Sequence, residues 1–294
     1  MNSFRILRGA LPIYLVITVT SASALKSCAV EENDDAKLKA DISRLLPDLA
    51  DSTSSETTDY AIKTLAEIGK ANGAKAVSVV AEWLYVDDIK MSTGAAHALG
   101  VLGRTQKTAL PLLKNVLLHH KESSVKKAAV EALAYVGPDA AEAVPELLEV
   151  YKTEKELSLH VAETIRLIGK DCIPMLLKAI RDGDRRVRNF CRASFALMDI
   201  KDTESVKVGP DAKSAVPALI QMLSDKDERL PVYGMDKNED SKVCMSIIRL
   251  LSLIGPEAAD SLPAIKKSYL QSEYKPLRNE AAKAIDRIEN PKKQ

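Results

Sequence analysis

The chain has 294 residues, of which 46% are hydrophobic and only 4% are aromatic. A core with so few rings must be built from Ala, Leu, Val and Ile, which suits closely packed helices. Because 42 basic residues balance 41 acidic ones to a net charge of +1, no electrostatic bias points to nucleic acid or to an acidic membrane surface.

The first 24 residues have the pattern of a secretory signal peptide. Arg5 and Arg8 give a basic start, an uncharged run follows over residues 9–25, and Ala-Ser-Ala at 22–24 fits a small-x-small cleavage site. The run is shorter than the roughly 20 apolar residues that a bilayer span prefers. We therefore predict an exported protein, periplasmic or secreted. Two alternatives stay open, namely an uncleaved membrane anchor and a lipoprotein with the lipid on Cys28.

An acidic stretch, EENDD at residues 31–35, follows the predicted signal peptide. We interpret residues 25–39 as a solvated acidic linker and not as a binding site. Residues 36–50 have the apolar spacing of a leading second helix of the array that follows. The array itself is predicted to cover residues 40–290, and residues 291–294 form a tail.

One helical pattern recurs through this array. TLAEIG, ALGVLG, ALAYVG, TIRLIG and LLSLIG end in a glycine, and the first steps between these glycines are 34, 34 and 32 residues. Apolar residues stand one, four and eight positions before each glycine, which places them on one face of a helix. The glycines are Gly69, Gly103, Gly137, Gly169 and Gly255, and the residues four before them are Leu65, Leu99, Leu133, Ile165 and Leu251. A period of this length indicates stacked helical units.

The joint between two helices of a unit is written three times in nearly the same letters. GPDAAEAVPEL at 137–147 returns as GPDAKSAVPAL at 209–219 and as GPEAADSLPAI at 255–265. We expect the glycine to end the first helix in a left-handed conformation, and the second proline to lie in the first turn of the second helix. The predicted fold is all-α, a right-handed α-solenoid of about six to seven stacked antiparallel helix pairs.

Two insertions interrupt the repeat, at 200–208 and at 225–241. We predict the second to be a solvated loop, and a binding loop stays open as the alternative. The first-helix pattern also recurs at 186–199 and at 277–289, with Asp199 and Glu289 where glycine would stand. The second of these segments has the form of a terminal half-repeat, where atypical residues are expected.

This pattern resembles HEAT repeats, in particular the bacterial HEAT-like repeats of the phycobilin-lyase type, over about residues 40–290. The resemblance rests on Val125-Lys126-Lys127-Ala128-Ala129 with Leu133 and Gly137, on Asp184 with Val187-Arg188, and on Leu277-Arg278 with Ala281-Ala282. It implies an architecture shared by many interaction scaffolds. It also implies a lyase-like enzymatic alternative, against which export argues because bilin attachment is cytoplasmic.

Side chains suited to catalysis or metal binding are sparse. His160 and Glu163 form a helical i, i+3 pair, but no second such pair would complete a metal site. The sequence contains no phosphate-binding glycine loop. We therefore predict no enzymatic activity, no metal and no cofactor. Cys191 is predicted to be a core residue, Cys172 is predicted not to be a nucleophile because no histidine partner is evident, and whether the two pair as a disulfide stays open.

A row of polar residues is the predicted contact surface. One stands four positions after the second proline of each unit, with Ser78 taken as the equivalent position in the first full unit. These residues oppose the apolar face, so we expect a solvent-exposed ladder on the concave side, with Trp83 and Tyr85 as anchors for a partner. The ladder consists of Glu82, Asn115, Glu149, Lys178, Gln221 and Lys267.

The sequence therefore predicts a non-enzymatic scaffold for a protein or peptide partner, with no nucleic-acid partner and with a membrane reached only through an N-terminal anchor or lipid. Two other functions stay open. One is a lyase-like or metal-assisted enzyme on the same scaffold, and the other is a structural spacer in the cell envelope.

Overall fold

The computed structural model describes residues 22–51, 55–198, 208, 212–224 and 237–290. These residues form fourteen α-helices and four 3₁₀ segments, and no strand occurs among them. The chain divides into a short unit, Met1–Asp41, and a large one, Ile42–Gln294. The predicted all-α solenoid is confirmed, and the large unit contains it.

The helices alternate between two roles in each repeat. The first helices are α2 (Ser55–Asn72), α4 (Ile89–Gly103), α6 (Ser123–Val136), α8 (Ser158–Ile168), α10 (Arg185–Leu197), α12 (Lys237–Ile254) and α14 (Lys275–Glu289). The second helices are α3 (Ala74–Ala81), α5 (Ala109–His119), α7 (Val144–Thr153), α9 (Ile173–Asp182), α11 (Ala212–Ser224) and α13 (Leu262–Ser268). Helix α1 (Ala22–Ala50) precedes the six pairs, and α14 ends the described part of the array.

Helices of the same role stack on each other along the array. Each first helix from α2 to α14 contacts the next first helix, and the second helices contact one another from α5 to α13. The large unit therefore has a first-helix layer and a second-helix layer, with the core between them.

The residues counted back from the glycines form this core. All five residues four positions before a glycine, including Leu99 and Leu133, are fully buried, and so are the five residues eight positions before it. Full burial of a side chain of this size contributes about 1.5–3 kcal/mol. In the first repeat Ile68, one position before Gly69, is only half-buried.

The corner prediction is correct only in part: the first helix ends at Gly137 and at Gly169, but neither Gly69 nor Gly103 has a positive φ. Gly137 and Gly169 end their helices with φ of 80° and 82°. Their ψ values of −144° and −147° place them in a region that only glycine adopts readily, and not in the left-handed helical region that we expected. Gly69 does not end its helix, because α2 continues to Asn72 and the positive φ falls on Gly73.

The second prolines mostly lie where they were predicted. Pro145, Pro174 and Pro263 occupy the first two positions of α7, α9 and α13, where a missing amide hydrogen leaves no helical bond unmade. Pro217 instead lies inside α11, because that helix already begins at Ala212. The GP corner before α11 lies outside the described residues.

The predicted linker and part of the second insertion are helical, and most of the other segments predicted outside the array lie outside the described residues. Residues 25–39, predicted as a linker, belong to α1 and are helical, since Ala, Lys, Leu and Glu favour helix. Most of the predicted signal peptide, most of both insertions and the tail lie outside the described residues, although 237–241 are the first turn of α12. Among the described helices, none has the length and apolarity needed to cross a membrane.

Candidate interaction surface

The six ladder residues are solvent-exposed, as predicted, each at its own second helix. Five of them lie within the second helices α5, α7, α9, α11 and α13. Glu82 differs, because α3 has only eight residues and ends at Ala81, so that Glu82 is its C-cap. The described part of the array therefore presents one polar side chain to solvent from each repeat.

Tyr85 joins the first two repeats on this surface. Its hydroxyl donates a 2.5 Å hydrogen bond to Oδ1 of Asn115, thirty residues later. The ring stacks on that of His120, with centroids 5.3 Å apart, while 54% of the residue stays exposed. Partial burial raises the pKa of the Tyr85 hydroxyl, which keeps it a proton donor.

The Tyr85 contact also fixes the orientation of the Asn115 amide. Because Oδ1 accepts from Tyr85, the two N–H groups on Nδ2 point elsewhere, and they have no partner among the described residues. An amide held in one orientation with two unused donors can bind a carbonyl oxygen without first losing rotational freedom.

The His120 ring, on which the Tyr85 ring stacks, is held in place by two hydrogen-bond contacts. Its Nδ1 accepts the N–H of Glu122 at 3.1 Å, so the proton of the neutral ring belongs on Nε2, which lies 3.0 Å from the carbonyl oxygen of Leu84. The residue is buried. His120 is therefore a positioning residue for Tyr85. Trp83 is half-buried, so less of this predicted anchor is presented to solvent than of Tyr85.

The charged rungs differ in how they are compensated. Glu149 forms an ion pair with Lys152 on the same helix, with 2.8 Å between Oε2 and Nζ. Lys178 and Lys267 have no ion pair or hydrogen bond among the described residues. The ladder therefore holds a neutralised acid in its middle and uncompensated positive charge farther along.

Ion pairs between neighbouring helices support the surface. Lys114 of α5 pairs with Glu146 of α7 at 3.0 Å, and Lys126 at the start of α6 pairs with Glu154 after α7 at 2.7 Å. The hydrogen bond from Lys126 holds the pKa of Glu154 below its usual value. These pairs lie partly shielded from water, where ion pairs are less screened than on an open surface.

A second aromatic group, which sequence reasoning missed, lies where α10 contacts α7. The guanidinium of Arg186 lies 4.9 Å from the centre of the Tyr151 ring and donates to the carbonyl oxygens of Tyr151 and Lys152 at 3.2 and 3.3 Å. The rings of Tyr151 and Phe190 are 4.1 Å apart. Arg186 thereby completes the end of α7, whose last carbonyl groups have no helical partner.

A carboxylate shared by two histidines crosses the first-helix layer. Glu131 of α6 lies 3.1 Å from Nδ1 of His160 on α8 and 3.8 Å from Nε2 of His97 on α4. Burial lowers the pKa of His97, Glu131 opposes that effect and Lys127 adds to it. Among the described residues, no group of three or more His, Cys, Asp or Glu side chains is arranged to hold a metal ion. The predicted partner of His160, Glu163, instead pairs with Arg166.

Three cysteines of the array, Cys172, Cys191 and Cys244, are buried and form no disulfide among the described residues. Burial, with a smaller contribution from Asp171, raises the pKa of Cys172 to about 12. Burial likewise raises the pKa of Cys191. Both are core residues, as predicted for Cys191, and they are not joined by a disulfide. The side chain of Cys28 lies outside the described residues.

Comparison with known proteins supports the architecture. Residues 42–134 match the family model of HEAT repeats. The array is similar to an archaeal HEAT-like repeats protein from Thermococcus onnurineus NA1, with a TM-score of 0.51, 13% identity and coverage of 85% of this chain and 97% of that one. It is also similar to importin beta, with a TM-score of 0.51, 14% identity and coverage of 85% of this chain and 35% of that one.

An engineered protein at 22% identity gives a TM-score of 0.43, over 84% of this chain and 68% of that one. No curated protein matches the chain. At these identities the structural likeness shows the fold alone. Residues 42–134 are therefore similar to HEAT repeats, and the array has the fold of a HEAT-like α-solenoid.

Proposed function

We propose that this chain is an exported, non-enzymatic scaffold that binds a protein or peptide through its second-helix layer. The observation that carries the proposal is the ladder, which presents an exposed polar side chain from every described repeat. Ion pairs between neighbouring repeats, such as Lys114 with Glu146, favour a surface that is ordered before a partner arrives. A preformed surface lowers the entropic cost of binding.

The spacing of the ladder suits an extended segment. Packed helices lie about 8–10 Å apart, and an extended chain advances about 3.3 Å per residue. One rung then serves about every third residue of a bound peptide. The Nδ2 group of Asn115 supplies donors for a main-chain carbonyl, and the Tyr85 ring supplies an exposed aromatic surface of the kind that concentrates binding energy.

The test compares two variants that change equal numbers of charges. One replaces Glu82, Glu149, Lys178 and Lys267 by alanine on the second-helix side. The control replaces Lys63, Glu67, Glu163 and Lys283 by alanine, two acids and two bases on exposed first-helix positions. Affinity capture from cell-envelope extract with the full chain should recover a discrete partner with wild type and with the control, and much less of it with the ladder variant. Equal recovery with all three proteins would refute the assignment of the surface.

Further measurements separate the two rival functions from the proposed one. A lyase-like or metal-assisted enzyme would come out of purification with a chromophore or a stoichiometric metal, which absorption spectroscopy and elemental measurement detect. An envelope spacer would give no discrete partner but a measurable envelope defect when it is deleted.

Export is proposed from the N-terminal pattern alone. Mass spectrometry of the protein purified from its native host should find a mature chain that begins at Leu25 if the signal is cleaved after Ala24. A chain beginning at a lipid-modified Cys28 would establish the lipoprotein alternative. A chain that retains its first 24 residues would establish the anchor.

A further inference from the structure

The two halves of the second-helix layer differ in charge. Helices α3, α5 and α7 contain three basic residues and two acidic ones, a net charge of +1. Helices α9, α11 and α13 contain five basic residues and one acidic residue, Asp182. The five are Lys178, Arg181, Lys213, Lys266 and Lys267. The layer therefore has a positive half on a chain whose total charge is only +1.

Three of these five cations have partners within the chain. Arg181 donates to the hydroxyl of Ser214 at 3.1 Å, and Lys213 lies 3.8 Å from Glu257. Lys266 pairs with Glu289 at 2.6 Å. The remaining two, Lys178 and Lys267, are both exposed, both ladder residues, and without a partner among the described residues.

We propose that this half of the layer, α9, α11 and α13, binds an extended acidic segment of a partner protein, with one carboxylate at Lys178 and another at Lys267. The inference rests on the proposed scaffold function and names the chemistry of the partner. Because α9 contacts α11 and α11 contacts α13, the two lysines stand two helix steps apart, about 16–20 Å. An extended chain covers that distance in about five or six residues. The segment therefore carries two acidic residues at that separation, with Gln221 between them to meet the main chain.

A nucleic acid fits this half less well than an acidic peptide. Single strands are held by aromatic side chains that stack on bases together with a continuous basic groove. No aromatic residue occurs in α9, α11 or α13. Phosphates follow one another every few ångströms along a strand. Lys178 and Lys267 are instead separated by α11, whose ladder residue, Gln221, is an uncharged amide. Sparse, widely spaced charge matches a peptide with isolated carboxylates.

The experiment selects ligands with the full-length chain and then challenges the two lysines. A random dodecapeptide library displayed on phage is selected against wild-type protein at about 0.1 M salt. Enriched peptides should carry acidic pairs five or six residues apart. Their synthetic, fluorescently labelled forms are then titrated by anisotropy against wild type, against the Lys178→Glu/Lys267→Glu variant, and against the control variant Lys63→Glu/Lys283→Glu.

The control makes the same change of net charge at exposed positions of α2 and α14, on the first-helix layer. The Lys178/Lys267 variant should bind the acidic peptides at least fivefold more weakly, and the control should stay within twofold of wild type. Replacing both acids of a peptide by Gln should weaken its binding to wild type by a similar factor and remove most of the salt dependence.

Each other outcome overturns a defined statement. Enriched peptides without acidic pairs, or acidic peptides that bind the Lys178/Lys267 variant as tightly as wild type, overturn this inference while the scaffold function stands. Equal losses in both variants mean a bulk charge effect and also overturn it. A labelled 20-nucleotide thymidine strand is titrated as well. If it binds more tightly than any selected peptide and loses binding in the Lys178/Lys267 variant, the ligand of this half of the layer is a nucleic acid and the inference is overturned. A selection that enriches no peptide, together with no captured partner, overturns the proposed function itself.

Discussion

A β carbon on Gly100 would lie 2.7 Å from the carbonyl oxygen of Ala132 and 2.8 Å from its Cα. Helices α4 and α6 therefore approach so closely that one backbone touches the other, and the residue at 100 must lack a side chain. The same holds on the other side of α4, where a β carbon on Gly94 would lie 1.9 Å from the carbonyl oxygen of Leu46. Small residues in α4 thus set the spacing of the first repeats.

Gly100→Ala should destabilise the protein although alanine is the better helix former. The gain in helix propensity is about 1 kcal/mol. The new methyl group, however, collides with backbone that cannot rotate away, and such overpacking costs about 2–3 kcal/mol, the upper part of the usual range. We expect a net loss of about 1–2 kcal/mol in denaturant titration. Gly69→Ala is the matched control, because its methyl would meet only the tip of the Leu102 side chain at 2.6 Å. A Gly100→Ala variant as stable as wild type would contradict the close approach.

Leu133→Ala tests the core that the repeat predicts. Leu133 is fully buried in α6, and removal of such a side chain costs about 2–5 kcal/mol through lost burial and the cavity left behind. Leu159→Ala serves as control, since Leu159 is 67% exposed and its truncation should change the free energy of unfolding by less than about 0.5 kcal/mol. Similar small losses for both variants in urea titration would place Leu133 outside the core.

The sequence predicts most of this fold because the repeat displays its packing several times. Five equivalent residues, from Leu65 to Leu251, stand at the same distance before a glycine, and all are buried. The corner prediction fails in the first two repeats, where neither Gly69 nor Gly103 has a positive φ. Gly69 is followed by Lys-Ala-Asn, which continues the helix, whereas Gly137 is followed by proline, which cannot donate the hydrogen bond that helix continuation requires.

Only those features of the candidate surface that recur in every repeat can be predicted from the sequence. Exposure of the ladder follows from helical spacing, and it was predicted. The Tyr85 to Asn115 hydrogen bond and the sharing of Glu131 by His97 and His160 join different repeats. Such contacts depend on the rotation of each helix about its axis, which sequence spacing does not fix. A signal was nevertheless present, since Glu131 and His97 both stand six positions before their glycines.

The thiols of the array should be inert in the folded protein. A thiol with a pKa of about 12, as at Cys172, exists as thiolate in about one molecule in ten thousand at pH 8, and thiolate is the reactive form. Iodoacetamide at pH 8 should therefore leave Cys172 and Cys191 unmodified in native protein and alkylate both in urea, as peptide mass mapping would show. Rapid labelling of native Cys172 would contradict its burial. Resistance of both even in urea, reversed by a reductant, would show that they pair as a disulfide.

His97 should make stability depend on pH. Its pKa in the folded protein is lowered, first by burial, with Lys127 adding to the effect and Glu131 opposing it, while in the unfolded chain it is near 6.5. The unfolded state therefore takes up a proton first as pH falls, and the linkage favours unfolding. The contribution of His97 to the free energy of unfolding should be constant at pH 7.5 and above and should decrease as pH is lowered through 6.5 toward 5.5, above the range where carboxylates titrate.

The His97→Gln variant separates this group from the other histidines. Glutamine fills a similar volume and does not titrate, so the slope between pH 7.5 and 5.5 should be smaller than in wild type. The control is His119→Gln at the exposed end of α5, which should retain the wild-type slope because that side chain is surrounded by water in both states. Urea titrations at four pH values measure all three slopes. If His97→Gln keeps the full slope, the protonation that destabilises the fold belongs to another group, and the contact between His97 and Glu131 compensates for the burial of the ring.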